Sequence, residues 1–267
     1  MDIKANGVTL HCQIDGPVNA PWLMFSNSLA TNISMWGPQV AYFSRTHRVL
    51  RYDQRGHGRS EAPPGRYSFD TLIADAVALM DALDIKHAHI CGLSMGGATA
   101  MGLVQRAPDR VDRVIVCDSP CASTPASAQQ WEDRIAVART QGMPALVDST
   151  LARWFPPKTL AANPPYLANI REMILTTPVN GFIGCSSALA DHDFRSAVAT
   201  VKRPVLFIVG EKDGPTPAAM RQLHADLPNS RFAELPGAGH ISNLDRPDEF
   251  NRAVDDFLVA VDAASPR

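Results

Sequence analysis

Short runs of apolar, often β-branched residues recur along this chain, and longer stretches with apolar positions at helical spacing separate them. The runs at 8–14, 22–27, 47–52, 87–92, 112–118, 204–210 and 231–235 read as strands. Several lack the polar alternation of a half-exposed strand, as expected where both faces of a sheet are covered. Between them, Leu72, Ala76, Leu79, Met80 and Leu83 form one apolar stripe after Ser68, a side chain suited to capping a helix start. Near the end, Phe250, Val254, Phe257, Leu258 and Val261 repeat the pattern, with Pro247 where a first helical turn tolerates it. Strand–helix alternation of this kind predicts a mostly parallel sheet flanked by helices.

The pattern changes in the middle. From 121 to 196 the strand signal disappears and helical stretches follow, broken by Pro156-Pro157, Pro164-Pro165 and Pro178. The expectation is one core unit made of 1–120 and 197–267, with 121–196 inserted into it as a helical cap.

Composition narrows the choices. The 267 residues carry a formal net charge of −2, and Lys and Arg gather nowhere, so a phosphate-backbone footprint is absent and nucleic acid is not an expected partner. The five cysteines, Cys12, Cys91, Cys117, Cys121 and Cys185, are scattered, odd in number and without a CxxC pair. That pattern favours reduced, buried thiols over a disulfide framework or a zinc knuckle, and it suits a cytoplasmic location. The first residues lack a signal-peptide core, and no apolar run reaches the roughly 18 to 20 residues that cross a bilayer, so no membrane association is expected. No glycine-rich phosphate cradle follows a strand, and His87-Ala88-His89 has no third ligand nearby, so neither a cofactor nor a metal is expected. Nothing in the chain fixes an oligomeric state.

Candidate chemistry lies at Gly92-Leu93-Ser94-Met95-Gly96, a G-x-S-x-G run directly after a predicted strand and before a predicted helix. A serine on such a sharp turn is held in a strained backbone conformation, and glycines beside it let the flanking backbone pack closely. A serine hydroxyl needs a base, and the base needs an orienting acid; in this arrangement both follow the serine along the chain. Beyond Ser94 stand His192, His224 and His240. His240, in the flexible turn Gly237-Ala238-Gly239-His240 after the last predicted strand, is the candidate base. His224 falls within a predicted helix and His192 at the end of the insertion. For the acid, Asp213 follows the strand 204–210; Asp118, ending the preceding strand, and Glu211 are its rivals. Asp53, Arg55, His57 and Arg59 form a charged loop read as bracing rather than catalysis. Two backbone N–H groups should receive the oxyanion: that of Met95, and that of Leu29 in Asn27-Ser28-Leu29, counted back from Trp36.

In Asn27-Ser28-Leu29 through Ser34-Met35-Trp36, in Asp53-Gln54-Arg55-Gly56-His57-Gly58-Arg59-Ser60, and in Cys91-Gly92-Leu93-Ser94-Met95-Gly96-Gly97 the chain resembles the 3-oxoadipate enol-lactone hydrolases of the α/β-hydrolase superfamily. Arg153-Trp154-Phe155-Pro156, Asp191-His192-Asp193-Phe194-Arg195 and Gly239-His240-Ile241-Ser242-Asn243 extend the likeness over nearly the whole chain, insertion included. The resemblance implies the α/β-hydrolase fold, a mostly parallel eight-stranded sheet with a helical cap. It also implies opening of a small lactone acid to 3-oxoadipate in aromatic catabolism, through an acyl-enzyme on Ser94. Such a substrate carries a carboxylate, for which Arg134 is the candidate partner, with Trp131 and Trp154 as an apolar wall over the ring. Three other readings share the fold: a carboxylesterase, a C–C-bond hydrolase, and a ligand receptor that keeps the triad. A haloalkane dehalogenase would place Asp where Ser94 stands.

Overall fold

Val, Ile and Leu on both faces of consecutive strands leave no side for water, so the strands must be covered twice. In the computed structural model, which describes the backbone of residues 1–262 and the side chains of 1–259, eight strands form one sheet. They are β1 (Asp2–Ala5), β2 (Val8–Asp15), β3 (Trp22–Ser26), β4 (Arg48–Tyr52), β5 (Ala88–Leu93), β6 (Val111–Cys117), β7 (Val205–Gly210) and β8 (Arg231–Leu235). Their order is β1-β2-β4-β3-β5-β6-β7-β8; β1/β2 and β2/β4 pair antiparallel and every other neighbouring pair is parallel. Every residue of β5 and of β7 is buried. The strand absent from the sequence reading is β1, a four-residue edge strand, Asp-Ile-Lys-Ala, with a single buried side chain and so no apolar run.

Helices α1 (Gly37–Phe43), α2 (Phe69–Ala82) and α3 (Met95–Arg106) link the first strands. Ser68 caps α2 by accepting the Thr71 N–H, as the stripe behind it suggested. Between β6 and β7 come α4 (Pro125–Gln141), α5 (Val147–Trp154), α6 (Pro157–Ala162), α7 (Tyr166–Thr176), α8 (Val179–Asp191) and α9 (Arg195–Thr200). After β7, α10 (Thr216–Asp226), α11 (Ser242–Asp245) and α12 (Pro247–Asp262) complete the fold. Phe250, Val254, Phe257 and Leu258 of α12 are buried; the Val261 side chain lies outside the described residues. Among the described residues no single helix is long and apolar enough to cross a membrane.

The sheet register fixes where chemistry can occur. Ser26 of β3 lies opposite Gly92 of β5, Leu93 opposite Cys117 of β6, and Gly210 of β7 opposite Leu235 of β8. The loops holding 27–30, Ser94, Asp118, Asp213 and His240 therefore all leave the sheet at its carboxyl edge, where open α/β sheets bind ligands.

Among the contacts that join the helical insertion to the rest, three bear on the position of the site. Its neck is a short antiparallel contact in which Phe194 N–H donates to Cys121 O (2.7 Å) and Ser123 N–H to His192 O (2.8 Å). On α8, Gly181 lies against Gly56 so closely that a Cβ on it would stand 1.9 Å from the Gly56 carbonyl oxygen. Tyr67 N–H donates to Gly184 O (3.1 Å) one turn on. The third joint is the Trp154 carbonyl, which accepts the His240 backbone N–H at 2.7 Å. Because both partners in the Gly181–Gly56 contact are backbone, neither can turn aside. Gly181→Ala is expected to cost about 1 to 3 kcal/mol of stability, read as a lower denaturant midpoint with the slope unchanged; a wild-type midpoint would show that the contact yields freely.

Candidate active site

Ser94 sits between β5 and α3 at φ 57°, ψ −114°, a conformation that costs on the order of 1–3 kcal/mol for a non-glycine residue. The surrounding glycines make it attainable. A Cβ on Gly92 would stand 1.9 Å from Gly96 O, and one on Gly96 would stand 2.0 Å from Ser26 O. The turn thus presses α3 against both β5 and the end of β3. Ser94 keeps partial solvent exposure while its neighbours on both sides are buried. Met95 opens α3, so its N–H is among those with no partner inside the helix.

His240 is buried on the loop before α11, and its Nδ1 lies 2.9 Å from Asp213 Oδ2. With Nδ1–H donated to the carboxylate, Nε2 carries the lone pair that a base needs. Nε2 is buried and makes no hydrogen bond in this state. Asp118 does not reach the imidazole. Its Oδ1 accepts Gly210 N–H at 2.7 Å and its Oδ2 accepts the Ser242 hydroxyl, so it ties the loop before Asp213 to the loop after His240. Full burial, reinforced by the nearby Asp213 charge, pushes its pKa well up. Glu211 is turned outward, paired with Lys212 and accepting Gly237 N–H. The other two histidines are tied elsewhere: His192 Nδ1 to Leu189 O (2.8 Å) and His224 Nδ1 to Ser230 Oγ (2.7 Å).

The loop after β3 is pinned from beneath. Gln54 Nε2 donates to Asn27 O (2.8 Å), Trp36 Nε1 to Asn27 Oδ1 (2.8 Å), and Ile33 N–H to Asp53 Oδ1 (2.8 Å). Leu29 is buried within it. Beside Leu29, Ala30 holds φ 56° and donates its N–H to His57 Nε2 at 2.9 Å. His57 Nδ1 faces Arg55 O at 3.2 Å, so the ring is the neutral Nδ1–H tautomer. Desolvation pulls its pKa down from 6.5 to about 4. The charged loop read as bracing thus holds the backbone on which Leu29 sits.

Three comparisons bear on this arrangement. Residues 21–247 match the α/β hydrolase fold family. The chain is 37 % identical to 3-oxoadipate enol-lactonase 2 of Acinetobacter baylyi over 95 % of its own length and 94 % of the relative's. It is 34 % identical to 3-oxoadipate enol-lactonase 1 of the same organism, covering 98 % and 97 %. Among solved structures, the enol-lactonase from Burkholderia xenovorans LB400 superposes with a TM-score of 0.93 at 43 % identity, covering 97 % of this chain and 100 % of that one. This chain belongs to the enol-lactonase family of α/β hydrolases.

Within a family sharing one fold, the insertion is where members can differ. Here Trp154 ends α5 over His240: its ring lies 6.0 Å from the His240 ring, centroid to centroid, at 25°. Arg134 on α4 donates from Nη2 to Thr150 Oγ1 and lies 6.0 Å from the Phe182 ring centroid. Its Nε is buried without a partner, and desolvation, with the Arg153 charge adding, lowers its pKa to about 10. Trp131 is partly exposed and carries the Arg153 guanidinium over its ring at 4.9 Å. Arg153 keeps exposed surface yet is walled closely enough for desolvation to lower its pKa, against the opposing pull of Asp213. The sequence favoured Arg134 over Arg153 as the carboxylate partner; the influence of Asp213 on Arg153 spans 60 positions and leaves no local trace.

The His57 pKa gives a sign that can be checked. A buried neutral histidine binds its proton less readily folded than unfolded, so its contribution is complete above about pH 6.5 and is lost as the pH falls toward 4. In His57→Gln, the drop in unfolding free energy between pH 7 and pH 5 should be smaller than in the wild type by about 2 kcal/mol, measured by urea titration at both values. Equal drops in the two proteins would show that His57 does not titrate in that window.

Proposed function

We propose that the protein hydrolyses 3-oxoadipate enol-lactone to 3-oxoadipate through an acyl-enzyme on Ser94. The observation that carries the acid-substrate reading is a pair of arginines in the insertion, Arg134 and Arg153. Among the described residues neither makes an ion pair, and Arg153 lies within electrostatic reach of Asp213. Arg134, half-buried and without a carboxylate partner, is suited to receive one from a ligand. Near-full-length identity to two proteins named as 3-oxoadipate enol-lactonases supports the particular acid.

His240 Nε2 takes the Ser94 hydroxyl proton as Oγ attacks the lactone carbonyl. The oxyanion is held by the N–H groups of Met95 and Leu29, while Asp213 orients the imidazole and stabilises its charged form. Collapse breaks the ring C–O bond; the enolate oxygen leaves, still tethered through the acyl chain, and His240 returns the proton to it. The enol tautomerises to the ketone. A water deprotonated by His240 then attacks the acyl carbon and frees Ser94. Residues 121–196 act as the cap: Arg134 anchors the substrate carboxylate, and Trp131 and Trp154 line the way to it.

Following enol-lactone consumption, made in situ from its precursor, tests the reading. Ser94→Ala should lower turnover on the order of a millionfold and Asp213→Asn about ten-thousandfold. A Ser94→Ala enzyme retaining more than about a hundredth of wild-type turnover would remove the nucleophile assignment. Arg134→Ala should reduce kcat/KM on the charged lactone far more than on an uncharged aryl ester; equal losses would mean the guanidinium does not meet the carboxylate. Simple esters turned over with no action on the lactone would make the protein a general carboxylesterase, and a single slow turnover would make it a receptor.

A further inference from the structure

The Trp154 side chain holds an unexplained polar atom. Trp154 is 2 % exposed, and its indole Nε1–H is sealed from water with no hydrogen-bond acceptor. An unmade hydrogen bond of this kind typically costs on the order of 1–3 kcal/mol, which a wall built only for packing would avoid by using phenylalanine. The indole is also closely positioned: its backbone carbonyl holds the His240 N–H at 2.7 Å and its ring lies over the imidazole.

One turn earlier on α5, Thr150 occupies the same helix face. Its hydroxyl is already committed, donating to Leu146 O at 2.6 Å and accepting from Arg134 Nη2. That contact fixes the guanidinium beside α5 and leaves Arg134 Nε, like Trp154 Nε1, buried with no acceptor. Two buried donors without acceptors therefore flank the same stretch of α5: the neutral Trp154 Nε1 on it, and the cationic Arg134 Nε reaching from α4 to Thr150, one turn before Trp154. A ligand group that satisfies both must accept at two points and carry negative charge, which describes a carboxylate.

We propose that the Trp154 indole N–H donates to the substrate carboxylate alongside Arg134, so that Trp154 selects acids in addition to covering the base. The proposal rests on the acid-substrate reading above, and its test separates the two. Trp154→Phe keeps an aromatic ring over His240 and deletes only the donor. The ratio of kcat/KM on the enol-lactone to that on an uncharged aryl ester should fall about ten- to hundredfold, with the change carried by KM on the lactone. Binding of the product 3-oxoadipate, measured by calorimetry, should weaken by a similar factor. An unaltered ratio, both activities dropping together, would overturn the proposal and reduce Trp154 to holding His240 in place. A wild-type protein that leaves the lactone untouched yet binds the dicarboxylate, more weakly in Trp154→Phe, would overturn the substrate assignment and support the donor. A wild-type protein that binds no carboxylate would overturn the donor itself.

Discussion

The whole site depends on how closely backbone can approach backbone at the turn carrying Ser94. Gly92 and Gly96 touch each other and the Ser26 carbonyl at separations no side chain would permit. This contact does two things at once. It forces Ser94 to a positive φ, which lifts the hydroxyl clear of the sheet, and it brings the end of β3 against the first turn of α3. The loop 27–30 therefore starts next to the Met95 N–H. Ser94, the Met95 N–H and the 27–30 loop then share one geometry set by the main chain.

Two carboxylates occupy neighbouring loops at this edge, and burial with partners separates their work. Asp118 is wholly enclosed and spends both oxygens on Gly210 N–H and the Ser242 hydroxyl. Asp213 is also buried but directs an oxygen at His240 Nδ1. Desolvation raises the Asp118 pKa and the Asp213 charge raises it further, so the pair need not hold two negative charges side by side. Asp118 serves as a clamp between the loop of Asp213 and the loop of His240, while Asp213 is left to meet the imidazole. Identical side chains differ in role because one is offered two donors and the other a histidine.

Much of this was legible because it is local. Strand, serine turn and helix lie within a dozen residues around Ser94, and a glycine run beside an apolar strand has few other uses. The sheet order could not be read from periodicity, but the chain order of serine, acid and base restricts which loops meet, and His240 and Asp213 stand together as that order implied. Asp213 was preferred to Asp118 from the sequence, but what sets the two apart, Asp118's bonds to Ser242 and Gly210, lies 124 and 92 positions from Asp118. β1 escaped because a four-residue edge strand with one buried side chain has too little apolar content to signal itself. The insertion was visible as helix, yet its contacts were not. That Trp131 carries Arg153, that Thr150 holds Arg134 and that Trp154 overlies His240 all follow from how α4 and α5 pack, and apolar spacing says which face is buried without saying against what.

The insertion is therefore more than a lid resting on a finished site. Its Trp154 carbonyl fixes the backbone of the base, and Gly239 is glycine because a Cβ there would stand 2.2 Å from that same carbonyl oxygen. At the far side, Gly181 against Gly56 ties α8 to the loop whose His57 holds Ala30. Both the His240 loop and the 27–30 loop are thus buttressed by the segment that also carries Arg134 and Arg153. A substitution that shifts the end of α5 therefore also shifts the backbone that holds His240. On α4, by contrast, Arg134 and Trp131 make their contacts within the insertion, to Thr150 and Arg153, and hold no backbone of the 27–30 or His240 loops.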